Sequence, residues 1–162
     1  MLEVGDKLPE IDLRFKSIKG IETINTKNIF HNRFIVMIGV PGAFTSTCSS
    51  SHLPGFVKNC DSIFSLGVEE IACVSVNDPY VMYAWGQDQN VSDKINLYSD
   101  VDASFASSIS LYENYGPNLL VRLKRFAVIA KNNVVKHISI DQRGSFKDTS
   151  AEKVISILKQ LD

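Results

Sequence analysis

Two hydrophobic periods alternate along this chain. Residues 11–15 and 21–24 are short alternating runs on either side of Lys19-Gly20, which predicts a β-hairpin. Residues 34–40 (FIVMIGV) are continuously apolar and rich in branched side chains. The run is too short for a typical helix and predicts a strand buried on both faces. Phe56, Val57, Cys60, Ile63 and Phe64 then recur at helical spacing, and Gly67 marks the stop. Residues 71–76 (IACVSV) predict a second buried strand. Asp78 followed by Pro79 opens a helix that carries Val81, Met82 and Trp85 on one face. A strand over 95–98 and a short helix over 103–110 come next. Strands over 126–130 and 134–140 are joined by the tight turn Lys131-Asn132-Asn133. Thr149 and Glu152 have capping-box spacing ahead of an amphipathic helix through Val154, Ile157, Leu158 and Leu161.

Strands alternating with helices predict an α/β sheet covered on both faces. A β-α-β unit followed by β-β-α is the thioredoxin-like arrangement. The reading is a central mixed sheet, helices on both faces and an N-terminal hairpin as an extension. There is no repeat, linker or low-complexity stretch, so residues 1–162 read as one domain.

Composition narrows the function. The chain has 17 Lys plus Arg against 18 Asp plus Glu, a net charge of −1. That balance offers no electrostatic footprint for nucleic acid or an anionic membrane. No apolar run approaches the ~20 residues of a membrane span. The acidic start Met1-Leu2-Glu3-Val4-Gly5-Asp6 reads as mature protein rather than as a signal or transit peptide. Three cysteines are too few for a disulfide framework or a four-cysteine zinc site, and they suit a reducing compartment. The expected location is the cytoplasm. No dinucleotide or phosphate-loop motif is present, and the spacing of Cys48, His52 and Cys60 matches no zinc pattern, so neither cofactor nor metal is expected.

The chemistry concentrates in 41–55, PGAFTSTCSSSHLPG, just after the first buried strand and at the start of a helix. The crevice at the carboxyl end of such strands is where open α/β sheets place ligands. Cys48 falls in the first helical turn, where free N–H groups and the helix dipole favour a thiolate. An arbitrary cysteine is more often inert packing. Cys48, however, is surrounded by Ser, Thr and Gly and has no apolar face to join. Thr45 by itself also fits a plain cap. Arg122, Lys124 and Arg125 by themselves fit solvated charges at a strand start. His52, four residues after Cys48, lies on the same helical face, but no orienting partner is evident for a Cys–His pair. It reads as structural, with a possible hydrogen bond near the site. His31 and His137 read as isolated structural or surface residues.

Pro41-x-x-x-Thr45-x-x-Cys48 resembles the peroxiredoxin active-site pattern, and PGAFTSTCSSSHLPGF resembles the peroxiredoxin-five, or type II, subfamily. Val74-Ser75-Val76-Asn77-Asp78-Pro79 with Trp85, and Lys124-Arg125-Phe126-Ala127, extend the likeness from about Gly5 to Leu161. The resemblance implies a thiol-dependent peroxidase acting on hydrogen peroxide and alkyl hydroperoxides. Cys48 would be the attacking thiolate, which becomes a sulfenic acid. Thr45 would hydrogen-bond the sulfur and the peroxide. Arg125 would stabilise negative charge, and is preferred to Arg122 only because the family places it before Phe126. Pro41 would cover the cysteine. The resemblance also implies a homodimer.

The sequence departs from the family in two places. Some members carry a second cysteine in the loop before the last helix, whereas residues 142–148 here (QRGSFKD) have none. Ser46 stands where proline is common. Cys60, twelve residues after Cys48, would lie ~18 Å along a continuous helix, beyond the ~7 Å between Cα atoms that a disulfide requires. Cys60 and Cys73 both read as core packing. The expected cycle therefore uses one cysteine and an external thiol, from glutaredoxin with glutathione or from thioredoxin. Two rivals remain. A disulfide reductase would want C-x-x-C, but Cys48 precedes Ser49-Ser50-Ser51. A non-enzymatic peroxide sensor or interaction domain would use the same cysteine.

Overall fold

The computed structural model describes residues 1–161. A seven-stranded sheet runs in the order β2-β1-β5-β4-β3-β8-β9. The N-terminal hairpin is β1 (Asp12–Ser17) and β2 (Gly20–Asn25), and it joins the sheet through β1 and β5 (Ile95–Ser99). The buried runs become β3 (Phe34–Gly39) and β4 (Glu70–Ser75), paired in parallel. On the other flank of β3 lie antiparallel β8 (Arg125–Lys131) and β9 (Val134–Asp141). Asn132 and Asn133 turn between them with φ of 48° and 66°, the left-handed pair a tight hairpin requires.

The alternation of side chains along β3 sorts the core into two layers. Val36 and Ile38 face α2 (Leu53–Ser65), α3 (Pro79–Asp88) and α5 (Ala151–Leu158), through Phe56, Cys60, Ile63, Trp85 and Val154. Ile35 and Met37 face α1 (Thr26–Phe30) and α4 (Ser104–Ile109), through Phe30, Phe105 and Ile109. The mixed sheet with helices on both faces is thus as expected.

Three details differ from the sequence reading. Helix α1 and a two-stranded sheet of β6 (Tyr112–Asn114) and β7 (Val121–Leu123) are additional, each too short to show a period. The cap of α5 is Ser150, whose side chain accepts from the Lys153 N–H. Thr149 instead turns its hydroxyl onto Asp141 Oδ2, at 2.7 Å. Finally, Cys48 does not sit in an ordinary first turn of α2. Cys48–His52 form a π-helical turn, closed by the Leu53 N–H on the Cys48 carbonyl, that leads into α2.

Candidate active site

Sheet register creates the site. Gly39 at the end of β3 pairs with Phe126, so Arg125 at the start of β8 lies beside the loop that β3 feeds. A Cβ on Gly39 would collide with the Phe126 ring, so this close approach requires glycine. Asn77, after β4, holds the loop from below: its Oδ1 accepts from the Ala43 N–H at 2.8 Å and from Ser75 Oγ at 2.7 Å. Phe44 bends the loop with φ 62° and leaves its ring exposed.

Arg125 Nη2 donates to Cys48 Sγ at 3.3 Å. Its other arm, Nη1, contacts His52 Nδ1 at 2.8 Å, and His52 Nε2 contacts the Thr149 carbonyl at 3.0 Å. All three side chains are buried, Cys48 to 1% exposure. Burial, then the neighbouring Arg125 cation, lowers the His52 pKa to about 3, against the opposing pull of the Thr149 carbonyl and Asp141. The imidazole is therefore neutral. Phe146 closes this cluster, with its ring 5.2 Å from that of His52 and 5.8 Å from the Arg125 guanidinium carbon.

Pro41 is buried, and its carbonyl accepts from Arg122 Nη1 at 3.3 Å, while Arg122 Nε donates to the Leu119 carbonyl at 2.8 Å. Arg122 thus braces the loop, and Arg125 is the cation at the sulfur. The Thr45 hydroxyl donates to the Gly42 carbonyl at 2.6 Å rather than to the sulfur, as the sequence reading had it. Its oxygen lone pairs are left to accept. A cavity of about 60 Å³ reaches Arg125 between Pro41, Thr47, Tyr115, Asp141 and Arg143. That space admits a few water-sized groups.

Cys60 lies on the apolar face of α2 and Cys73 within β4, both buried and free, as the sequence reading expected. Burial, then proximity to Cys48, pushes the Cys73 thiol well above its ordinary range. The sequence reading missed the bracing by Arg122 and Asn77 and the cover by Phe146. These roles depend on contacts between distant segments. The one local signal was Asn77, within the family-like string before Pro79.

The Redoxin family model matches residues 3–155, and the chain belongs to that family. It is 35% identical to chloroplastic peroxiredoxin-2E of Arabidopsis thaliana, over 97% of this chain and 69% of that one. It is 33% identical to Arabidopsis peroxiredoxin-2D, over 97% and 98%. Reduced Prx3 from Vibrio vulnificus, solved in complex with hydrogen peroxide, superposes with a TM-score of 0.94 at 35% identity, covering 98% and 99%. Within the family this is a peroxiredoxin of the type II, or peroxiredoxin-five, kind, and so a thiol-dependent peroxidase. Among the described residues no helix is long and apolar enough to cross a membrane.

Proposed function

We propose that Cys48 is the peroxidatic thiolate, recycled by an external thiol in a one-cysteine cycle. The observation that carries this is the Arg125 Nη2 donor on Cys48 Sγ. Sγ attacks one oxygen of the hydroperoxide. The S–O bond forms as the O–O bond breaks, and the alkoxide or hydroxide leaves as alcohol or water after taking a proton. The Arg125 fork stabilises negative charge first on sulfur and then on the departing oxygen. Thr45, oriented by the Gly42 carbonyl, accepts the hydroperoxide O–H and fixes the line of attack. Pro41 walls the sulfenic acid from bulk water.

An external thiol then condenses with the sulfenic acid, releasing water and leaving a mixed disulfide. A second thiol displaces Cys48 as the free thiol. Glutaredoxin with glutathione, or thioredoxin, supplies these equivalents. Two features support an external donor: Cys60 faces the core, and Cys73, held protonated by burial, is a poor nucleophile. A 1-Cys peroxiredoxin from Plasmodium falciparum shares the architecture, with a TM-score of 0.91 at 25% identity. The exposed apolar side chains Phe44, Tyr80, Tyr112, Leu120 and Val121 suit the homodimer that the resemblance implies. Three free thiols suit the cytoplasm.

Peroxide turnover with each recycling system, measured for the native chain and for Cys48→Ser, tests the reading. Turnover that survives Cys48→Ser rejects the site. Equilibrium sedimentation tests the dimer.

A further inference from the structure

Arg143 is exposed, yet it is not loose. Its Nη2 and Nη1 donate to the carbonyls of Tyr115 and Asn114 at 3.3 and 3.5 Å, and its guanidinium carbon lies 4.8 Å from the centre of the Tyr115 ring. A residue from the loop after β9 is thus stacked on the end of β6, at the wall of the cavity that reaches Arg125. Two of its five N–H donors are committed, and three remain. Among the described residues its charge has no carboxylate partner, since the ion pairs are Arg33 with Glu70 and Lys94 with Asp61.

The acid in the cavity wall is occupied. Asp141 shares the cavity wall, but its oxygens receive the Lys147, Asp148 and Thr149 N–H groups and the Thr149 hydroxyl. Glu113 lies opposite Arg122 in the β6–β7 ladder. Burial, then Glu113, raises the Tyr115 pKa, so the phenol stays neutral beside an incoming anion. Two fixed cations therefore line this cavity, and one of them donates to Cys48. The inner one, Arg125, is buried with its two arms turned onto sulfur and imidazole, and the outer one is exposed with three donors free.

We propose that Arg143, on its Tyr115 platform, is a carboxylate subsite at the mouth of the cavity. It would recognise a reactant whose small reactive head enters while its carboxylate stays outside. A hydroperoxide or a thiol can carry that carboxylate. This inference rests on the reading of Cys48 as the reacting thiol.

Matched acid and neutral probes test it on the full chain. In one arm, rapid quench and mass spectrometry follow Cys48 oxidation by linoleic acid hydroperoxide, kept below micelle formation, and by its methyl ester. In the other arm, Cys48 is oxidised with hydrogen peroxide and then reduced by N-acetylcysteine or by its amide, with rates normalised to thiolate concentration. The acid-to-neutral rate ratio is expected to exceed one by roughly two- to fivefold at low salt and to shrink as salt is added. R143Q collapses the ratio, and R143K keeps part of it, because lysine retains the charge without the stacked fork. Collapse in the first arm assigns the carboxylate to the oxidant, and collapse in the second to the reductant. A native ratio near one and insensitive to salt in both arms, or one that R143Q leaves intact, overturns the subsite. Failure of the native chain to oxidise Cys48 with hydrogen peroxide overturns the peroxidase site instead.

Discussion

His52 can hold Arg125 only while its imidazole is neutral. A guanidinium only donates, so Nδ1 must be the acceptor in the 2.8 Å contact. The proton then sits on Nε2 and is donated to the Thr149 carbonyl. This single tautomer fixes one arm of Arg125 and aims the other at Cys48. His52 is thus a positioning residue.

Replacing Arg125 should be costly for that reason. Arg125→Met removes the donor at the sulfur, and the rate constant for peroxide should fall by roughly a hundredfold or more. Arg125→Lys keeps a charge but cannot serve His52 and Cys48 together, so it should recover only part of the loss. Stopped-flow oxidation rates check both.

His52→Leu should slow oxidation through Arg125 while leaving Cys48 able to react. His52→Asn supplies an acceptor near the place of Nδ1 and should restore part of the rate. Equal rates for Leu and Asn variants would show that His52 only fills space.

Stability should fall below neutral pH. The folded imidazole titrates at about 3, against an ordinary value of 6.5. The unfolded chain therefore binds the extra proton first. The contribution of His52 is complete above 6.5 and declines as the pH drops toward 3, by about 1.4 kcal/mol per pH unit. At the acid end Asp141 acts in the same direction. Burial pushes its carboxyl up, but hydrogen bonds from Asp148, Thr149 and Lys147 outweigh that and hold it below the usual range. Urea midpoints across this window, compared with those of His52→Asn, isolate the histidine's part.

Peroxide-treated protein should carry sulfenic acid, or a mixed disulfide with added thiol, at Cys48 alone. Cys60 and Cys73 should remain thiols in peptide mass spectra. A stoichiometric bond from Cys48 to either would end the one-cysteine proposal.

Gly39→Ala should destabilise the fold by about 1–3 kcal/mol, because the added methyl meets the Phe126 ring in a packed layer. Oxidation should slow as well, since Phe126 follows Arg125. Thermal melts and rate constants report the two effects separately.

The elements that were legible in the sequence are those with a clear period or strong punctuation. Residues 34–40 announced β3, Asp78-Pro79 announced α3, and the Asn132-Asn133 turn announced the last hairpin. Cys48 stood out in the sequence because its chain neighbours are polar, but the expectation that it has no apolar face to join was wrong: the thiol is buried in the layer of Val36, Leu53 and Phe56, which come together from separate segments. The π turn was not, since Ser49-Ser50-Ser51 carries no apolar phase from which a shifted period could be read. Thr149 was misread as a cap because its hydroxyl partner, Asp141, lies on another element. Arg125 and Arg122 look alike as letters; the family resemblance chose between them, and the pairing of β8 with β3 supplies the physical reason.

Trp85 is the chain's single tryptophan, and its indole N–H donates to Ser49 Oγ at 2.9 Å, one residue from Cys48. All indole emission therefore comes from one fully buried ring tethered to the cysteine turn. The molecule carries its own optical gauge. Any change of oxidation state that displaces the turn alters the polarity around one fluorophore, so each half-cycle can be timed in unlabelled protein.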